Sequence, residues 1–149
     1  MLAKKEGGFT LVEMMVTVAI GGVLLGVAVN SYASIRESTY VESAKEHVAS
    51  IMQQARLRAL SSGESQTVTL DLDNDTVDGI SFDGDVDLQK IACSSSPQTL
   101  TNTGSETFTF TRRGSGTSKS IRFSSSSLSS VGVITVNGTT GRISVKDGC

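Results

Sequence analysis

Residues 9–29 contain a single ionisable side chain, Glu13. As a helix this run is about 31 Å long at roughly 1.5 Å per residue, enough to cover the hydrocarbon core of a bilayer. Lys4 and Lys5 precede it and few basic residues follow at once, so the N-terminus is expected to stay cytoplasmic and the remainder to face outward. Taken alone, the run also fits a plain signal anchor. It fits a cleaved signal peptide too, with the stretch Val29-Asn-Ser-Tyr-Ala-Ser34 as a loose small-residue cleavage site.

Glu13 narrows the choice. A carboxylate five residues into an apolar helix costs several kcal/mol to bury unless it is paired or protonated. The surrounding residues, Gly7-Gly8-Phe9-Thr10-Leu11-Val12-Glu13, resemble the class III leader junction of type IV prepilins and pseudopilins. The resemblance implies that a prepilin peptidase cuts after Gly8 and methylates the new N-terminal amine on Phe9. It also implies that Glu13 meets the free amine of a neighbouring subunit during filament assembly. A buried charge that needs a counter-charge rewards the correct stagger between subunits and penalises misregister.

Beyond the apolar run, Ile35, Val41, Ala44, Val48, Ile51, Met52, Ala55, Ala59 and Leu60 recur at three- and four-residue steps. Arg36, Glu37, Glu42, Lys45, Glu46, Gln53, Arg56 and Arg58 supply the polar remainder, so the helix continues as an amphipathic one. Ser61-Ser62-Gly63 is a stop signal, Gly63 being suited to a left-handed cap. The period then changes to two in Gln66-Thr-Val-Thr-Leu-Asp-Leu72, Thr107-Phe-Thr-Phe-Thr111, Lys119-Ser-Ile-Arg-Phe123, Val133-Ile-Thr-Val136 and Arg142-Ile-Ser-Val145. Strands with one apolar face, parted by Gly-, Asn- and Ser-rich turns, predict an antiparallel sheet, with a hairpin signal at Asn137-Gly138 that extends toward Gly141.

The expected fold is therefore α+β and pilin-like: a long N-terminal helix, its first half membrane-spanning, packed on an antiparallel β-sheet domain. Residues 1–8 form a cleaved leader, 9–30 a transmembrane and filament-core helix, 31–62 its amphipathic second half, and 63–149 a β-rich extracytoplasmic domain. Gln53-Gln-Ala-Arg-Leu-Arg-Ala-Leu60, Phe108-Thr-Phe-Thr-Arg-Arg-Gly114 and Ile134-Thr-Val-Asn-Gly-Thr-Thr-Gly-Arg-Ile-Ser-Val145 resemble the GspH/FimT branch of minor pseudopilins and minor pilins. The branch implies a structural subunit that assembles into, primes or caps a type IV pilus or a type II secretion pseudopilus. Its partners are other pilins, the prepilin peptidase and the inner membrane. The expected location is a single-pass inner-membrane protein with a periplasmic domain, later a part of the filament.

Cys93 and Cys149 are the only cysteines, and in an oxidising compartment they are expected to form a disulfide. Closing a loop of roughly 55 residues contributes about 4 kcal/mol in the chain-entropy model. Asp71, Asp73, Asp75 and Asp78 resemble half a calcium loop, but Thr76 and Phe82 stand where a glycine and a bidentate glutamate are needed, so no metal is expected. His47 has no Cys or His at ligand spacing and reads as a surface or interface residue. No nucleophile–base pair, phosphate loop or metal cluster is present, and neither enzyme activity nor a cofactor is expected.

The alternative function is DNA capture in natural transformation. Some FimT-like proteins bind DNA through basic residues near the C-terminus, and Arg112, Arg113, Arg142 and Lys146 are the candidate contacts, with Lys119 and Arg122 nearby in sequence. Gly141 and Arg142 match the Gly-Arg-x-Arg motif of DNA-binding members, but Ser144 replaces the second arginine. With 13 Lys+Arg against 15 Asp+Glu the bulk charge is no guide. The same residues serve equally as charged guards on exposed sheet edges.

Overall fold

The computed structural model describes residues 9–93, 98, 100–126 and 132–148, the side chains of 28–31, 33 and 34 excepted. It forms two units, Met1–Ile35 and Arg36–Cys149. Helix α1 spans Leu11–Ser62 and contributes to both.

Within the first unit, α1 is apolar on every side, and its large side chains from Leu11 to Val27 are all exposed. A helix of that kind calls for an apolar environment. Among the described residues no helix is long and apolar enough to cross a membrane.

Within the second unit, Val41, Ala44, Val48, Met52, Ala55 and Ala59 are buried, one side of α1 at three- and four-residue spacing. Ile35 and Leu60, expected in that stripe, are 63% and 45% exposed, so it runs only from Val41 to Ala59. Gly63 follows with φ +72° and donates its N–H to the Ala59 carbonyl, the left-handed stop read from Ser-Ser-Gly.

Nine strands are found among the described residues: β1 (Gln66–Asp71), β2 (Thr76–Val77), β3 (Ile80–Ser81), β4 (Asp87–Ile91), β5 (Leu100–Thr101), β6 (Ser105–Phe110), β7 (Lys119–Ser124), β8 (Gly132–Val136) and β9 (Ile143–Lys146). All pairings are antiparallel, but there are two sheets, ordered β3-β2-β1-β6 and β5-β4-β7-β8-β9. Strand β4, which no clear alternation announces in the sequence, pairs with β7 from Asp87↔Ser124 to Ile91↔Ser120 and so builds the second sheet.

Both sheets contribute to one core with α1. Phe108 and Phe110 of the first sheet, Phe123, Ile121 and Ile134 of the second, and Met52 of the helix are fully buried. Each such side chain contributes roughly 1.5–3 kcal/mol, so three of the five phenylalanines carry much of a core poor in aromatics. The sheets are also joined by charge. Glu106 on β6 receives Lys90 of β4 and Lys119 of β7, each at 2.5 Å, while its own side chain is 12% exposed.

One polar expectation fails. Lys45 is buried, its stem lying so close to Gly132 that a Cβ there would meet Lys45 Cδ at 2.6 Å. Its ammonium reaches Glu42 at 2.5 Å and Asp147 at 3.5 Å. The long stem covers apolar surface, and the ammonium, itself covered, pairs with two exposed carboxylates.

Candidate functional site

Three regions carry the residues singled out from sequence. At the N-terminal region, Gly8 lies outside the described residues, and Phe9 is 85% exposed just ahead of α1. Thr10 caps the helix. Its N–H and Oγ1 both donate to Glu13 Oε2 at 3.0 Å, and the Glu13 N–H donates back to Thr10 Oγ1 at 3.2 Å. This is a reciprocal capping box, and it satisfies helix N–H groups that have no partner of their own. Reading Glu13 for its charge alone misses this cap, although the Thr-x-x-Glu spacing signals it. In the single subunit, then, Glu13 is not an unpaired carboxylate; it is held at the start of the helix beside Phe9.

The second region is the end of the β-domain where α1 stops. The turns 111–116 and 137–142 meet there. Gly116 N–H donates to the Gly138 carbonyl at 3.1 Å, and a Cβ on Gly141 (φ +60°) would fall on the Gly114 carbonyl oxygen. Arg56 of α1 fastens both turns, Nε donating to the Gly114 carbonyl at 3.2 Å and Nη2 to the Thr140 carbonyl at 3.0 Å. Asn137 Oδ1 accepts from Thr139 N–H, Thr140 N–H and Thr140 Oγ1, fixing the second turn from within. Sequence reading placed Arg56 only on the polar side of the helix; its role depends on partners 58 and 84 residues away.

This arrangement sorts the candidate DNA contacts. Arg112 and Arg113 are exposed on one of the joined turns and Arg142 on the other. Lys146 lies four residues along β9 from Arg142, about 13 Å at roughly 3.3 Å per residue, toward the opposite end. Lys119 is committed to Glu106 and the Thr107 carbonyl, and Arg122 has a buried Nε without a hydrogen-bond partner among the described residues. The structure thus brings together Arg112, Arg113 and Arg142, and leaves out the lysines and Arg122.

The acidic loops are the third region. Asp71 Oδ1 accepts from the N–H groups of Asp73 and Asn74, Asp75 Oδ1 from Leu88 N–H, Asp78 Oδ1 from Thr69 N–H, and Asp73 Oδ2 from Gly104 N–H. These carboxylates shape turns. Burial, then the charges of Asp87, Asp71 and Asp85, push the Asp75 carboxyl above its ordinary value despite the Leu88 hydrogen bond. Among the described residues no group of three or more His, Cys, Asp or Glu side chains is placed to hold a metal. His47 is exposed, its ring edge-on to Phe82 with centroids 6.5 Å apart. Cys93, just past β4, is not a free thiol, and Cys149 lies outside the described residues.

Two family models match the chain. Residues 3–29 match the prokaryotic N-terminal methylation motif, and residues 44–140 match the type II transport protein GspH. The chain belongs to the GspH family. The family is structural rather than enzymatic, and with the methylation motif it makes this chain a minor pilin of the type II secretion and type IV pilus class, anchored by its N-terminus with a periplasmic domain. The helix packed on antiparallel sheets is the pilin-like fold that this membership implies. Neither a curated protein nor a solved structure shows a significant match to the chain.

Proposed function

We propose that this chain is cleaved between Gly8 and Phe9, methylated on Phe9, and built into a type II secretion pseudopilus as a minor subunit. The observation that carries the reading is the first half of α1: apolar and exposed on every side, with one carboxylate held at its head. Such a surface is covered by lipid before assembly and by neighbouring helices after it. Glu13, parked on Thr10, is handed to the N-terminal amine of a neighbour, a charge pair that forms only in correct register. The match to a type II transport family favours the secretion machine over a retractile pilus. Domain 63–149 is then the part presented to other subunits or to cargo.

Support for DNA capture is thinner, because three arginines rather than six basic residues share one surface. With fewer phosphates neutralised, affinity and salt dependence fall together.

The test joins two measurements in cells with an active prepilin peptidase. Mass spectrometry of the mature protein should show an N-methylated Phe9 start, and an intact Met1 terminus or a cut near Ser34 refutes the processing step. Glu13→Ala should leave cleavage intact and reduce incorporation into pseudopili, with exoprotein release falling while twitching is spared. Normal incorporation of that variant removes the assembly role of the carboxylate.

A further inference from the structure

Between α1 and the turn that follows β3 a recess of about 350 Å³ opens. Three rings line it, Tyr40 and His47 from the helix and Phe82 from the turn. The rings are held in place. Tyr40 and Phe82 pack against the core, and His47 meets Phe82 edge-on. Tyr40 lies so close to Gly84 that a Cβ there would meet its Cδ2 at 2.5 Å. Side chains already fixed lose little freedom when something is bound between them.

The charge of the recess is negative and unpaired. Asp83 lines it beside Phe82, and Glu46 lines a shallow extension that shares Thr39 and Ser43 with it. Both carboxylates are exposed, and neither forms an ion pair among the described residues. The cations on this stretch of helix have other partners. Lys45 pairs with Glu42 and Asp147, and Arg36 lies over the Tyr40 ring at 5.3 Å, its Nε donating to the Tyr40 hydroxyl at 2.8 Å. Arg36 is itself a cation resting on one of these rings, the contact that an aromatic quadrupole favours.

Rings beside carboxylates suit a cation carried on an apolar stem. The described residues offer no group of three or more ligating side chains for a bare metal ion. Nucleic acid is disfavoured as well, since Asp83 and Glu46 would face its phosphates. A lysine or arginine side chain meets both requirements, its stem along Phe82 and its charged head between Asp83 and Glu46. We propose that the recess receives such a side chain from a neighbouring subunit of a different kind. A minor subunit has chains other than its own around it, so the contact joins two unlike surfaces and helps to set which chain sits beside which. Charge complementarity of this sort selects the partner more than it adds affinity. The inference rests on the minor-subunit reading and names the face on which that subunit takes a partner.

The experiment uses the full-length chain in cells that hold the complete secretion machine, with benzoylphenylalanine in place of Ser43 and the photoproducts mapped by mass spectrometry. Irradiation should join that position to a different pseudopilin, at a peptide carrying Lys or Arg. Asp83→Lys combined with Glu46→Lys should lower the yield about tenfold, because like charges then face each other across the contact. Tm should stay at the wild-type value, both side chains being exposed. Replacing the captured basic residue of the other pseudopilin by Glu should recover most of the yield. A product with another copy of this chain, with a peptide free of Lys and Arg, or with DNA overturns the proposal, and so does a yield indifferent to the charge reversal. A chain that starts at Phe9 and needs Glu13 for incorporation, yet gives no photoproduct, overturns the recess and leaves the subunit reading standing. An intact Met1 terminus overturns both.

Discussion

Replacing Arg56 by methionine keeps the apolar stem on α1 and removes both donors that fasten the turns 111–116 and 137–142. A hydrogen bond from a charged donor contributes roughly 1.5–3 kcal/mol. The two losses are not equal. Thr140 is on an exposed turn and its carbonyl recovers a water, whereas Gly114 is buried and its carbonyl loses a partner that water replaces poorly. The expected cost is therefore about 2–3 kcal/mol in all. For a chain of this size 1 kcal/mol moves Tm by roughly 3–4 °C, which gives a drop of about 6–12 °C. Arg56→Lys should recover about half, since an ammonium reaches one carbonyl but lacks the fork that spans both. Thermal unfolding of the full-length protein in detergent supplies the Tm. Amide exchange should show faster opening of both turns while the buried helix face around Val48 and Met52 stays protected. A Tm within about 1 °C of wild type, or equal losses for methionine and lysine, would refute the reasoning that these two bonds organise that end of the domain.

Three further outcomes are expected. Burial tends to raise the Glu106 carboxyl, but hydrogen bonds and charge from Lys119 and Lys90 outweigh it and hold it below its ordinary value. Its contribution is thus present at neutral pH and lost as pH falls through that lowered value. Glu106→Gln should cost roughly 1–3 kcal/mol at pH 7, and the gap from wild type should close as the pH falls below the ordinary glutamate range in denaturant titrations. Lys45→Met should change stability by less than about 1 kcal/mol, because the stem stays filled and the Glu42 and Asp147 side chains, 51% and 95% exposed, are left in water rather than buried unpaired. Lys45→Ala should cost about 2–3 kcal/mol by the same assay, since it removes the buried stem. Mass mapping without reductant should find Cys93 joined to Cys149, with reduction lowering stability by about 4 kcal/mol; both cysteines recovered as free thiols after alkylation in the periplasm would defeat the pairing.

What the sequence determined by itself are the features that depend on near neighbours. An apolar run with one carboxylate, a helical repeat read from Ile35 to Leu60 and kept from Val41 to Ala59, a glycine stop at Gly63 and alternation at β1, β6, β7, β8 and β9 are all local features. A local pattern is sufficient evidence for a local structure. The Thr10–Glu13 cap belongs to the same class. The tertiary structure alone decided which charges are spent and which are offered. Lys45 finds Asp147 across 102 residues, Arg56 finds Gly114 and Thr140 across 58 and 84, and Glu106 takes Lys119 out of the basic group by pairing across the two sheets. Strand β4 likewise has little alternation of its own and exists because β7 lies beside it. A side chain's partner at such separations is set by how strands register and which turns stack, and no periodicity in the chain encodes that. The arginines of one end became a surface only when Gly114 and Gly141 let two backbones touch.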